Sequence, residues 1–120
     1  MDRHDPKAEG KRLEDALARS LSELATLRAQ MRPQVPDSEL TIFDGKRMIL
    51  EDEEFIGHIR ENIANGYLAE RALLLVIDEL CASMRAVHDD YLRERVADFR
   101  DLGGFVLRHL REEEKRGPIQ

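Results

Sequence analysis

The sequence predicts an all-α fold, an antiparallel four-helix bundle with a broken or kinked second helix. Three observations carry that expectation. Apolar residues recur at spacings of three and four over several long stretches, and no stretch alternates apolar and polar long enough to form a strand. Hydrophobic residues make up 42% and charged residues 37% of the 120 residues, with only seven Gly and four Pro. Such a composition is helix-rich and apolar enough for one packed domain. Turn-forming residues gather at few places, namely Pro33 to Pro36, Asn65-Gly66 and His88-Asp89-Asp90.

The first helix is expected from about Lys7 to Met31, with Leu13, Ala16, Leu17, Leu24, Leu27 and Met31 on one face. Gly10 weakens its first turn, which moves the expected regular start toward Arg12. Pro33 and Pro36 close it. Asp37 or Ser38 is the expected N-cap of the next region, in which Ile42, Phe43, Met48, Ile49 and Leu50 form a broad apolar face around Gly45. Glu51-Asp52-Glu53-Glu54 opens another helix carried by Phe55, Ile59 and Ile63, and Asn65-Gly66 ends it in the manner of a left-handed cap. Leu68 to Val87 follows, with Leu73, Val76, Ile77, Leu80, Met84 and Val87 as its stripe, widened by Leu74 and Leu75. The last helix is expected from Tyr91 to Leu110, with Leu92, Val96, Phe99, Leu102, Val106 and Leu110 inward and Gly103-Gly104 allowing close approach of another backbone. The chain therefore divides into an extension over 1–11, a helical domain over 12–110 and a charged, frayed tail over 111–120.

The formal net charge of −6 argues against a nucleic-acid surface and favours a basic protein partner. No run of about 18 apolar residues exists to span a membrane, and the charged start has no apolar stretch behind it, so the cytoplasm is the expected compartment. The single cysteine, Cys81, lies in an apolar helical run and reads as a small core residue. No phosphate-cradling glycine loop, zinc pair or nucleophile elbow occurs, and His4, His58, His88 and His109 are scattered. No catalytic residue and no metal site is expected. His88 beside Asp89 and Asp90 is explained by a solvated turn between helices.

The acidic run has a simple local role, because acids in a first turn favour the helix dipole by some tenths of a kcal/mol each. Between Asp37 and Glu54, however, seven acids face two bases, a local net of −5. The same segment holds Phe43, Met48, Ile49, Leu50 and Phe55. One helix face cannot bury all of these while the acids stay wet. Some of Met48, Ile49 and Phe55 are therefore expected around an apolar patch with an acidic rim, the chemistry of a docking site for a basic partner.

Two longer motifs sharpen this reading. Ile42-Phe43-Asp44-Gly45-Lys46-Arg47-Met48-Ile49-Leu50-Glu51-Asp52-Glu53-Glu54 resembles the I-F-x-x-H segment of enzyme I of the phosphoenolpyruvate-dependent phosphotransferase system. Asp89-Asp90-Tyr91-Leu92-Arg93-Glu94-Arg95-Val96-Ala97-Asp98-Phe99-Arg100-Asp101-Leu102-Gly103 is similar to that family's D-x-Y-L-x-E-R-A-x-D-[VI]-x-D-[IL]-G signature. The resemblance runs from about Leu13 to Leu110.

What the resemblance implies is a helical subdomain inserted in a phosphohistidine domain, with a phosphoenolpyruvate-binding barrel beyond it. The family's phosphohistidine sequence, Gly-Gly-x-x-[ST]-His, does not occur here, so the chain would be inactive alone. Its partner would be the phosphocarrier protein HPr of sugar uptake, or the homologous carrier of the nitrogen-regulatory branch. Carried over by motif position, the apolar contacts would be Met48, Ile49, Phe55, Met84 and Leu92. The charged ones would be Asp44, Asp52, Glu53, Glu54, Arg95 and Asp98. Lys46 stands where the family usually has His, and Asp37-Ser38 where some members have two glutamates; both departures lower the negative charge offered to a carrier. The resemblance places dimerisation and the magnesium requirement elsewhere in the parent enzyme, so a monomer without a cofactor is implied here.

Overall fold

A computed structural model describes residues 5–86 and 90–116, the side chains of 91–92 and 113–116 excepted. Five helices follow in order: α1 (Pro6–Met31), α2 (Asp37–Leu50), α3 (Glu53–Ala64), α4 (Ala69–Arg85) and α5 (Asp90–Arg116). Among the described residues there is no strand. The broken second helix of the sequence reading is two separate helices, α2 and α3, joined by Glu51 and Asp52. The principal extents are 49 × 37 × 20 Å, and a thickness of 20 Å is that of two helix layers.

Helix α1 starts well before Arg12. Pro6 occupies its first turn, where a missing N–H costs nothing, and the Asp5 carboxylate accepts from the Lys7 N–H at 3.0 Å. Tertiary contact also offsets Gly10, because Glu9 one residue earlier is buried and accepts from the Ala69 N–H at 2.8 Å. Helix α4 has no side-chain cap of its own at Leu68, so Glu9 caps it from another helix. Helix α2 corrects the expected N-cap. The cap position is Pro36, in extended conformation and without a side-chain bond, and Asp37 is already helical. The Pro36 carbonyl takes the Glu39 N–H at 2.9 Å, which starts the helix ahead of Ser38.

Helix α3 ends as the sequence predicts. Gly66 has φ +107°, the Gly66 N–H bonds the Ile63 carbonyl at 3.0 Å, and the Tyr67 N–H reaches back to Asn62 at 3.2 Å. That pair of bonds makes a Schellman cap, for which glycine is the natural residue. Val87, His88 and Asp89, where the next break was expected, lie outside the described residues, as does His4. Helix α5 continues past Leu110 to Arg116, so the residues expected to fray there are helical.

The core is one cluster drawn from all five helices, with Leu13, Ile59, Leu73, Cys81 and Leu110 fully enclosed. Cys81 is buried and free, as the apolar run suggested. Leu27 and Met31 are only half-buried, and Leu74 is exposed. Leu73 fills the core beside it, and a turn of about 100° per residue carries Leu74 out of the stripe. Helices α4 and α5 pack closely where a Cβ on Gly103 would stand 3.2 Å from Ile77 Cγ1.

Polar clasps tie the helices. The Arg12 guanidinium donates to Glu9 at 2.9 Å, to Glu70 at 2.7 Å and to the Leu110 carbonyl at 3.1 Å, joining α1, α4 and α5. Burial pushes the Glu70 carboxyl up, but the hydrogen bond and charge of Arg12 outweigh it and hold Glu70 below the ordinary carboxylate range. The same bond raises the pKa of Arg12. Further along, Glu23 of α1 meets Arg108 at 2.8 Å and His109 Nε2 at 2.7 Å. No described helix is long and apolar enough to cross a membrane.

Candidate functional site

Helix α2 resolves which apolar residue of the motif stays wet. Met48, Ile49 and Leu50 are consecutive, so their side chains fan around the axis. Ile49 and Leu50 turn inward, at 6% and 1% exposure, and Met48 turns outward at 68%. Ile42, on the same helix, is 50% exposed. An exposed methionine offers a flexible, polarisable contact to a partner.

Beside Met48 lies an open groove of about 330 Å³ between α2, α3, α4 and α5. Its apolar floor comprises Ile49, Phe55, Val76, Leu80 and Phe99. The Phe55 and Phe99 rings are 6.1 Å apart and tilted by 54°. Its rim is polar, with Asp52 and Glu54 at the start of α3, His58 one turn on, and Arg95 from α5. The Arg95 guanidinium sits 5.7 Å from the Phe99 ring centre, a cation–π contact at the edge of the floor. Asp52 has a local task too, since its Oδ1 accepts from the Glu54 N–H at 2.9 Å and caps α3.

Of the residues singled out in the sequence, the structure brings together Met48, Ile49, Asp52, Glu54, Phe55 and Arg95. Glu53 is exposed and Asp98 half-buried, and neither lines the groove. Met84 packs half-buried against the core, away from the lining. The Leu92 side chain lies outside the described residues. Asp44 faces a second cleft, of about 400 Å³ between α1 and α2, where Arg28 holds it through Nε at 3.0 Å. His58 was not foreseen as a site residue. Its spacing of three from Phe55 and four from Glu54 was the available signal, and it places all three on neighbouring surface. Its Nδ1 stands 3.6 Å from Glu61.

The groove holds no catalytic constellation. Among the described residues, no group of three His, Cys, Asp or Glu side chains could hold a metal ion. The arrangement offers an apolar floor, one exposed apolar knob and a rim of two acids, one arginine and one histidine. It can bind and orient a protein surface.

Comparison with known proteins shows the family and the fold. Residues 1–95 match the family described as PEP-utilising enzyme, N-terminal. The phosphoenolpyruvate-protein phosphotransferase of Enterococcus faecalis is 39% identical over 108 residues, which cover 88% of this chain and 19% of that protein. The Listeria innocua protein of the same name is 36% identical, over 88% of this chain and 19% of its own length. The chain thus spans about a fifth of these relatives. A solution structure of an enzyme I protein superposes with TM-score 0.87 at 23% identity, over 93% of this chain and 46% of that one. A structure described as the N-terminal domain of Enzyme 1 - Nitrogen superposes with TM-score 0.84 at 29% identity, over 91% and 46% of the two chains. With the motifs on α2 and α5, the matching helices and the relatives in accord, the chain belongs to the PEP-utilising enzyme, N-terminal family.

Proposed function

We propose that this chain is the helical unit that docks a phosphocarrier protein, HPr or its nitrogen-branch homologue, for phosphoryl transfer in the cytoplasm. One observation carries the reading: a 68%-exposed Met48 stands at the lip of an apolar groove with Asp52 and Glu54 on its rim. A basic partner with an apolar patch matches that surface in shape and in charge.

The chain's part is positioning. Transfer between two histidines needs donor nitrogen, phosphorus and acceptor nitrogen in line, which is a matter of orientation. A carrier gripped across α2, α3 and α5 by a packed helical body is held in one pose. A carrier must also leave after each transfer, so binding on the order of micromolar, with charge-steered association, fits the task. The neighbour described as the N-terminal domain of Enzyme 1 - Nitrogen supports a second reading of the same groove, in which the nitrogen-branch carrier is the one docked.

Calorimetric titration of the 120-residue chain with each purified carrier, at low and at physiological salt, tests the proposal. The expected result is saturable binding that weakens as salt rises. Heats of dilution alone with every carrier, together with a mass that grows with concentration, would replace docking by self-association through the same patch.

A further inference from the structure

We infer that Arg28 is a specificity-determining residue of the docking face, a cation built into the chain that occupies Asp44 and so rejects carriers presenting their own cation there. The inference rests on the carrier-docking reading. Asp44 and Met48 lie four residues apart on α2, hence one above the other on the same flank of the helix. Asp44 faces the cleft between α1 and α2, so a partner seated on Met48 meets it by extending one turn along α2 toward α1.

That carboxylate is already engaged. Arg28 approaches from α1 and donates through Nε to Oδ1 at 3.0 Å and through Nη2 to Oδ2 at 3.4 Å, so both oxygens face one guanidinium. A second cation, Arg47, lines the same cleft and pairs with Glu51 at 3.9 Å. Among the described residues, by contrast, Asp52, Glu53 and Glu54 take part in no ion pair. The acidic face is thus divided. One end offers open carboxylates to an incoming cation, and the other presents a neutralised acid flanked by two arginines. A lysine or arginine arriving over Asp44 must displace Arg28 and meets like charge as it does so. Exclusion of this kind is how an interface discriminates among partners that all fit its attractive part.

Carrier affinity measured by calorimetry on the 120-residue chain tests this in four forms: unchanged, Arg28→Ala, Asp44→Asn and both together. A carrier with a basic residue over this end is expected to bind Arg28→Ala about three- to fivefold more tightly, the scale of one exposed ion pair. Adding Asp44→Asn is expected to abolish that gain. Arg28→Gln keeps the aliphatic stem and is expected to behave as Arg28→Ala does, and helix content by circular dichroism monitors the fold. Weaker or unchanged binding by both Arg28 variants, with the unchanged chain binding and Met48→Asp not, sinks the role of Arg28 and leaves docking intact. Failure of the unchanged chain to bind any carrier removes both.

Discussion

Met48→Asp is expected to weaken carrier binding by roughly 30-fold or more while leaving the helices folded. The size is that of losing a central apolar anchor, about 2 kcal/mol or more. The fold survives because Met48 is 68% exposed and contributes little to the core. The new carboxylate lies one helical turn from Asp44 on α2, which costs only some tenths of a kcal/mol. Thermal unfolding alongside titration separates the two effects. An Asp at the neighbouring Ile49, 6% exposed, would be uninformative, since it would put an unpaired charge into the core. Should the chain self-associate through this patch, Met48→Asp would instead dissolve the oligomer in sedimentation experiments.

Arg12→Met is expected to cost about 2–3 kcal/mol of stability at neutral pH, the scale of leaving largely buried polar partners unmatched. Its guanidinium serves Glu9, Glu70 and the Leu110 carbonyl at once, and its side chain and that of Glu70 are only 19% and 21% exposed. Methionine fills similar space and returns none of those bonds. The pH dependence follows from Glu70. Burial raises its pKa, but Arg12 lowers it further, to a folded value under the ordinary 4.5. Its contribution is therefore fully present above about pH 4.5 and is lost as pH falls through the lower folded value. Burial likewise raises Glu23, and bonds from Arg108 and His109 more than reverse it. That clasp remains in both proteins, so their difference isolates Arg12 and Glu70. Denaturant unfolding at a series of pH values should show the two proteins converging below about pH 4.5. A gap that stayed constant across the pH series would mean that the Arg12 cluster acts by packing alone.

The helical class was legible because period and punctuation agree along the chain. Leu13, Ile59, Leu73 and Leu110 were read as inward and are enclosed. Asn65-Gly66 makes the expected cap, because its chemistry is local. Non-local contacts were beyond reach. Glu9 caps α4 across a sequence gap of 60 residues and Arg28 occupies Asp44 across 16, and no pattern in one segment announces either. Likewise, Met48, Ile49 and Leu50 are equally apolar on paper, and only the packed rotation of α2 decides which faces water. Family resemblance named Met48, Ile49, Asp52, Glu54, Phe55 and Arg95, which line one groove. It could not tell that Asp44 turns to a different cleft, or that His58 completes the rim.

Nuclear magnetic resonance titration of the isotope-labelled chain with an unlabelled phosphocarrier tests the central claim most directly. Docking predicts that amide shifts concentrate on Met48 to His58 and around Arg95 and Phe99, and that they shrink as salt rises. Shifts confined to the Glu23 and Arg108 side of the bundle, or none with either carrier, would contradict it.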